Sequence, residues 1–307
     1  MSNPYKYSTI VLAVALALLL IYNIYTNVNI GPKFGQTTSG IGTPLSASEL
    51  SVINNASESN FITAGNMLLN GTLSDPVMLS KNPQVKPYVI GGKQSVIYIG
   101  AISCIYCGEN RWAMALALSR FGNFSKLFIG YSSFGDGDIP TLYWTHDNYT
   151  APGVGYGNYY SSSYINFISA DYDSNITQGF QLPAISDPLI YYIQRAPNAT
   201  YAGAMAYMNS TNNFTGTPFT LWGSSLNLGA DGIVFGNTTP TSSKLPLTYM
   251  THQQVFNQLK SFNDQFAYAE YAAADVYVAQ VCASLNGSMP SICNSNTITA
   301  IEGKLGI

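Results

Sequence analysis

The sequence predicts an α/β fold in which a central mixed sheet is flanked by helices. Short β-rich runs bounded by Gly or Pro occur at 85–90, 95–101 and 219–222. Helical periodicity follows the second run, from Cys104 to Phe121, and dominates the end of the chain. Together these patterns give the element order β-α-β and then α-β-β-α, which is typical of an α/β domain.

The composition excludes several classes of protein. Only 9% of the 307 residues are charged, against about 25% in an ordinary soluble domain. With 12 Lys and Arg and a net charge of −3, the chain is not expected to form a basic groove for nucleic acid. A hydrophobic content of 47% argues against disorder overall. So few charges also suit acidic surroundings, because protonating few carboxylates builds little self-repulsion.

Residues 1–30 predict a single transmembrane anchor. No charged residue occurs between Tyr7 and Pro32, and 10–22 is continuously apolar. From Tyr7 to Tyr25 a helix would span about 27 Å, one hydrocarbon thickness with tyrosines at both ends. The apolar run is also short enough for a cleaved signal peptide, but no small-residue cleavage site follows it. Lys6 favours a cytoplasmic N-terminus, with the remaining chain outside the cytoplasm at the cell membrane.

A flexible stalk at 31–46, rich in Gly, Ser, Thr and Pro, precedes the folded domain at 47–307. Residues 135–215 are predicted to be an insertion, and about 264–304 to be additional C-terminal helices. The elements predicted in order are helix at 46–70, strands at 85–90 and 95–101 around Gly91-Gly92, helix at 104–121, strands at 126–134, 141–144 and 164–169, helix at 187–195, a hairpin of 219–222 with 232–235, and helices at 251–262, 264–285 and 297–304.

The motif with the clearest chemistry is Cys104-Ile105-Tyr106-Cys107. It follows a β-rich run and begins a helix, so the first thiol lies where unpaired backbone N–H groups stabilise a thiolate. The second thiol, three residues later, is within reach to resolve a mixed disulfide. The motif therefore predicts a redox pair, with Cys104 as the nucleophile and Cys107 as the resolving thiol.

Two other interpretations of Cys104 and Cys107 remain open, a structural disulfide and half of a zinc site. A four-cysteine zinc site usually contains a second C-x-x-C, and Cys282 and Cys293 are too far apart for one. A turn lies between Cys282 and Cys293, so a structural disulfide is preferred for them over two buried thiols. Neither a metal nor an organic cofactor is expected.

The sequence resembles the thioredoxin-like superfamily at the Cys pair and at Thr217-Pro218. It is more closely similar to an archaeal membrane-anchored family catalogued as a domain of unknown function, over roughly 45–300. The resemblance implies a thioredoxin-like fold in which a cis Pro218 faces the Cys pair and Thr217, Ile105 and Tyr106 help to dock the substrate. The family pattern has Pro where this chain has Ile105. The matching stretches are 98–101, 104–107, 111–112, 117–124, 164–167, 218–219 and 236–237.

These observations predict a membrane-anchored, extracytoplasmic thiol–disulfide oxidoreductase or isomerase that acts on client proteins and does not bind nucleic acid. Its redox partner is not indicated. The alternative is a non-catalytic cell-surface binding module whose C-x-x-C is a structural disulfide, and metal delivery is a third possibility.

Several other side chains are expected to lie outside the chemistry. Glu109 and Arg111 follow the Cys pair and could tune its thiolate, but solvated first-turn positions are preferred for them. His146 and His252 are predicted to be surface residues, and Trp112 to be in the core. The ten Asn-x-Ser/Thr sequons indicate either a glycosylated exterior or an Asn-rich composition. They are at Asn55, Asn70, Asn123, Asn148, Asn175, Asn198, Asn209, Asn213, Asn237 and Asn286.

Overall fold

The structure is a computed structural model, and its described residues all belong to one unit, 38–307. The predicted anchor, most of the stalk, Thr217, His146, and the elements predicted at 187–195 and 232–235 lie outside the described part. Among the described residues, no helix has the length and apolar character needed to cross a membrane. The described residues are 40–73, 87–101, 104–132, 139–144, 154–156, 158–172, 218–228, 247 and 250–307.

The described elements begin with two α-helices and end with three, and one further α-helix interrupts the strands between them. The helices are α1 (Ala47–Asn54), α2 (Glu58–Leu69), α3 (Ile105–Leu118), α4 (His252–Ser261), α5 (Gln265–Cys282) and α6 (Asn296–Leu305). The strands are β1 (Val89–Ile90), β2 (Lys93–Ala101), β3 (Gly122–Lys126), β4 (Phe128–Tyr131), β5 (Pro140–Tyr143), β6 (Val154–Tyr156), β7 (Tyr159–Ser162), β8 (Ile165–Tyr172), β9 (Phe219–Trp222) and β10 (Ser225–Leu228).

A mixed sheet forms the centre of the domain, in the order β10-β9-β2-β8-β6, with β1 also paired to β2. β2 runs parallel to β8, and Gln94 lies opposite Ile165. On its other side β2 runs antiparallel to β9, and Ile97 lies opposite Leu221. β8 therefore lies beside the central strand, although its residues fall within the predicted insertion. Two small antiparallel pairs, β3 with β7 and β4 with β5, complete the described strands.

Helices cover the sheet and bury one another. Trp222 of β9 stacks on Tyr277 of α5, with ring centroids 4.4 Å apart. Trp112 of α3, which the sequence places in the core, is buried against the ring of Phe256 on α4. α3 and α5 thus pack together against the sheet, and α3 has no solvent-exposed face beyond its first turn.

The single helix predicted at 46–70 is in fact two helices. Ser46 and Glu49 form a capping box at the start of α1, in which each side chain accepts a backbone N–H from the other residue. The chain leaves the helical conformation after Asn54 and returns to it after Ser57, whose backbone is extended. Helical periodicity continues across this break, which is why the sequence pattern does not reveal it.

The predicted partner of strand 219–222 is also wrong. The hairpin closes through two residues, Gly223 and Ser224, and pairs β9 with 225–228 instead of 232–235. Gly223 has a φ of 58°, and a Cβ there would lie 1.8 Å from the Ser284 hydroxyl oxygen. Glycine fits this turn because it tolerates positive φ and leaves room for the loop after α5.

A disulfide joins Cys282, at the end of α5, to Cys293 in the short 3₁₀ helix Ser291–Asn294. The two Cα atoms are 5.4 Å apart and both cysteines are buried. The bond therefore fixes the segment between α5 and α6 against the core.

Candidate functional site

The Cys pair lies where β2 leads into α3. Cys104 is the N-cap of α3 with an extended backbone, and its Sγ accepts the backbone N–H of Cys107 at 3.5 Å. The Cys104 carbonyl accepts the N–H of Gly108 at 2.9 Å, which closes the first helical turn. The Cys104 sulfur therefore occupies the position of a side-chain cap, next to the positive end of the helix dipole.

The two sulfurs differ in access. Cys104 is half-buried, whereas Cys107 is fully buried. Between them, Ile105 is half-buried and Tyr106 is 45% exposed, one of the few large hydrophobic side chains on the described surface. An external reactant can therefore reach Cys104 but not Cys107, and it would meet an apolar ring beside the sulfur.

The surroundings of Cys104 favour its ionised form. The hydrogen bond with the Cys107 side chain is the largest influence lowering its pKa, and the backbone N–H groups of Cys107 and Tyr106 and the charge of Arg111 add to it. Burial acts in the opposite direction, and the net effect lowers the pKa of Cys104 from 9.0 to about 6. Most Cys104 side chains are therefore thiolates at neutral pH, the form that attacks disulfides.

Pro218 lies at the same edge of the sheet as the Cys pair. It is buried and immediately precedes β9. The register places Phe219, the first residue of β9, opposite Ile99, two residues before the end of β2. Cys104 follows the end of β2 by three residues in the sequence. The sheet thus places Pro218 at the end of β2 that precedes the Cys pair in the chain, although the proline and the cysteines are more than 100 residues apart in sequence.

The prediction that Glu109 and Arg111 are solvated is wrong. Glu109 is 2% exposed and Arg111 is completely buried, because α3 packs between other elements on all sides. The Arg111 guanidinium carbon lies 5.8 Å from the ring centre of Tyr98 on β2 and 5.7 Å from that of Tyr143 on β5. The signal that could have revealed this is the pair of apolar stripes on α3, which indicates burial on more than one side.

Glu109 belongs to a set of buried carboxyl groups behind the Cys pair. Burial raises the pKa of Glu109 well above its usual value, and the nearby Glu270 and Cys104 raise it further. Burial also raises the pKa of Glu270, on α5, to about 8. Neither Glu109 oxygen has a hydrogen-bond partner among the described residues. Burial therefore favours the protonated form of both groups.

The prediction that His252 is a surface residue is also wrong. It is buried at the start of α4, and its Nε2 lies 2.8 Å from the carbonyl oxygen of Thr141 on β5. Burial is the main influence on this ring and lowers its pKa. His252 therefore joins α4 to β5. In the described part of the chain, no group of three or more His, Cys, Asp or Glu side chains could hold a metal ion.

The fold and the site define an α/β protein with a Cys-x-x-Cys pair at the N-terminus of a buried helix. The chain belongs to the family described as domain of unknown function DUF929, which matches residues 82–283, about two thirds of its length. No curated protein and no solved structure matches the chain.

Proposed function

We propose that this protein exchanges thiols and disulfides with client proteins through Cys104 and Cys107. The observation that carries the proposal is the position of Cys104: a half-buried sulfur that caps α3 and accepts the N–H of Cys107. A sulfur held in this way is a good nucleophile and a good leaving group, and a second cysteine lies one turn away.

The order of the strands supports a thioredoxin-like fold for the domain. The Cys pair follows β2, which has a parallel neighbour in β8 and an antiparallel neighbour in β9, and β10 forms a hairpin with β9. This is the strand arrangement implied by the resemblance to the thioredoxin-like superfamily. In that arrangement Thr217 and Pro218 would present backbone to an extended client, beside Ile105 and Tyr106.

The proposed exchange is balanced in electrons and protons. A client thiolate attacks Cys104 Sγ of the Cys104–Cys107 disulfide, the S–S bond breaks, and Cys107 takes the electron pair and a proton. A second client thiolate then attacks the client sulfur of the mixed disulfide and displaces Cys104 as a thiolate. The client dithiol becomes a disulfide, and the protein receives two electrons. The same steps in reverse reduce a client.

We also propose that residues 1–30 anchor the domain outside the cytoplasm. The buried Cys282–Cys293 disulfide supports an oxidising compartment. All four described sequon asparagines are exposed and could carry glycans, as a cell-surface glycoprotein would require. They are Asn55, Asn70, Asn123 and Asn286.

The expected topology is an integral membrane protein whose domain is accessible from outside. In membranes of the source organism, the full chain should remain in the pellet after alkaline carbonate extraction, because an apolar helix is not released by high pH. Protease added to intact cells should remove the domain. Protection of the domain until the cells are lysed would contradict the extracytoplasmic location.

The exchange activity predicts that a Cys107→Ser variant accumulates mixed disulfides with clients. Without the resolving thiol, Cys104 can attack a client disulfide but the adduct persists. Adducts recovered from cells of the source organism should migrate as high-mass species on non-reducing gels and disappear with dithiothreitol. The matched control is Cys104→Ser/Cys107→Ser, which should trap none. If Cys107→Ser also traps none, the binding module with a structural disulfide is the better explanation.

A further inference from the structure

A groove lies between α1, the start of α2 and the last turn of α4. Its volume is about 350 Å³, within the range of about 300–1,000 Å³ that is usual for a ligand site. Among the described residues that line the groove, Lys260 is the one with a charged side chain, and hydroxyl and amide groups form the rest of the polar wall. These groups belong to Ser48, Ser51, Asn55, Ser57, Asn60 and Tyr271.

This lining suits a neutral ligand with many hydroxyl groups. Protein hydroxyls and amides both donate and accept hydrogen bonds, so each can pair with a hydroxyl group of a sugar. Val52 and Leu259 add apolar surface to the groove, which the C–H groups of a sugar ring can cover. An anion would meet one lining cation, the exposed Lys260, and Glu58 lies in the first turn of α2. A saccharide therefore fits the groove better than a phosphate or a carboxylate does.

An attachment point for a saccharide lies in the wall of the groove. Asn55, Ala56 and Ser57 form an Asn-x-Ser sequon in the turn between α1 and α2. The Asn55 side chain is exposed, and its Nδ2 donates a hydrogen bond to Ser51 Oγ at 2.8 Å. Since Asn55 and Ser51 both line the groove, the nitrogen that would carry a glycan lies at its edge. The other described sequon asparagines, which are Asn70, Asn123 and Asn286, do not line this groove.

We propose that Asn55 carries an N-linked glycan whose first sugars occupy this groove. The inference deepens the extracytoplasmic location proposed above and rests on it for the glycosylation. In the transfer, Asn55 Nδ2 forms a bond to the anomeric carbon of an oligosaccharide linked to a lipid phosphate. The bond between that carbon and the phosphate oxygen breaks, the lipid phosphate leaves with the bonding electrons, and one amide proton is released. The substituted amide retains one N–H, which can still donate to Ser51.

The test compares the native chain with Ser57→Ala and Ser57→Thr, all purified from membranes of the source organism. Ser57→Ala destroys the sequon, whereas Ser57→Thr preserves it at the same position in the groove. Glycopeptide mass spectrometry measures occupancy of Asn55, and hydroxyl-radical footprinting measures the access of water to Val52 and Lys260. Both side chains should be oxidised about tenfold faster in Ser57→Ala, because a glycan bound with a tenfold preference leaves the groove open about a tenth of the time.

Two controls separate coverage of the groove from a general change in the protein. Ser57→Thr should keep the glycan and the native oxidation rates of Val52 and Lys260. Val89, which is 53% exposed and does not line the groove, should react equally in all three proteins. An unmodified Asn55 in the native chain would overturn the inference. Equal oxidation of Val52 and Lys260 in the two variants would overturn it as well, because the glycan would then lie outside the groove.

Failure of this inference is distinguishable from failure of the proposed function. Glycans at Asn70, Asn123 or Asn286 with an unmodified Asn55 would support the extracytoplasmic location and remove the role of the groove. If every sequon is unmodified, both the inference and the proposed glycoprotein are wrong, and protease treatment of intact cells still decides the location. The trapping of clients by Cys107→Ser depends on neither result.

Discussion

Raising the pH from 4.5 to 6 is expected to lower the free energy of unfolding by about 2 kcal/mol more in the native protein than in a Glu270→Gln variant. Burial raises the pKa of Glu270 from 4.5 to about 8. Between these values the unfolded chain has lost this proton and the folded chain retains it. The stabilisation is therefore complete below about pH 4.5, declines by about 1.4 kcal/mol per pH unit, and is lost above about pH 8.

Other buried groups also contribute to the change in the free energy of unfolding with pH. Burial also raises the pKa values of Glu109 and of Asp275, which lies on α5, so both change stability in the same direction as Glu270. Burial lowers the pKa of His252, so this group acts in the opposite direction and lowers the free energy of unfolding as the pH falls. Cys104 has its midpoint near pH 6 and contributes little within this window. Burial also raises the pKa of the half-buried Glu302. Among the described residues, these four carboxyl groups act against one imidazole, so together they favour a fold that is more stable in mild acid.

The measurement is urea denaturation at several pH values, followed by circular dichroism. Glu270→Gln has nearly the same shape as the native side chain but no proton to lose, so it isolates the contribution of this carboxyl group. Parallel stability profiles for the two proteins would show that Glu270 is not a buried acid.

Gly65→Ala is expected to destabilise the domain by about 1–3 kcal/mol. Gly65 lies on α2, and a Cβ there would be 2.5 Å from Cγ2 of Thr297 on α6 and 2.8 Å from Oδ2 of Asp275 on α5. Both atoms belong to buried side chains where three helices meet, so one of these side chains must shift to admit a Cβ. The unfolding midpoint in urea measures the effect.

Gly303→Ala is the matched control, since it makes the same chemical change in another helix. Gly303 is exposed on α6, and a Cβ there meets no atom within 4 Å. Alanine costs less backbone entropy than glycine in a helix, so this variant should gain up to about 1 kcal/mol. Opposite signs are therefore expected for the two variants. A Gly65→Ala protein that is as stable as native would contradict the close approach of α2, α5 and α6.

Local patterns predicted those parts of the fold that depend on neighbouring residues. The turn at Gly91-Gly92 and the position of α3 after a β-rich run follow from short-range signals, as do the last three helices. The break between α1 and α2 was not predicted, because one periodicity runs through both. The partner of β9 was misplaced because a two-residue turn containing a single glycine is a weak signal in a chain with 27 glycines.

Burial of individual polar residues could not be predicted in the same way. Glu109, Arg111 and His252 were assigned to solvent because charged and polar side chains usually lie there. Each is buried by elements that are distant in sequence: α5 behind Glu109, β2 and β5 around Arg111, and β5 beside His252.

The sequence by itself determined the candidate redox pair, because the spacing of Cys104 and Cys107 and the helix that follows them are local properties of the chain. Only the tertiary structure decided what packs around α3: the rings of Tyr98 on β2 and Tyr143 on β5 over Arg111, and Glu270 of α5 near Glu109. The physical reason is that the charge state of a buried group depends on solvent exclusion and on groups brought near it by packing, as Glu270 of α5 raises the pKa of Glu109 on α3.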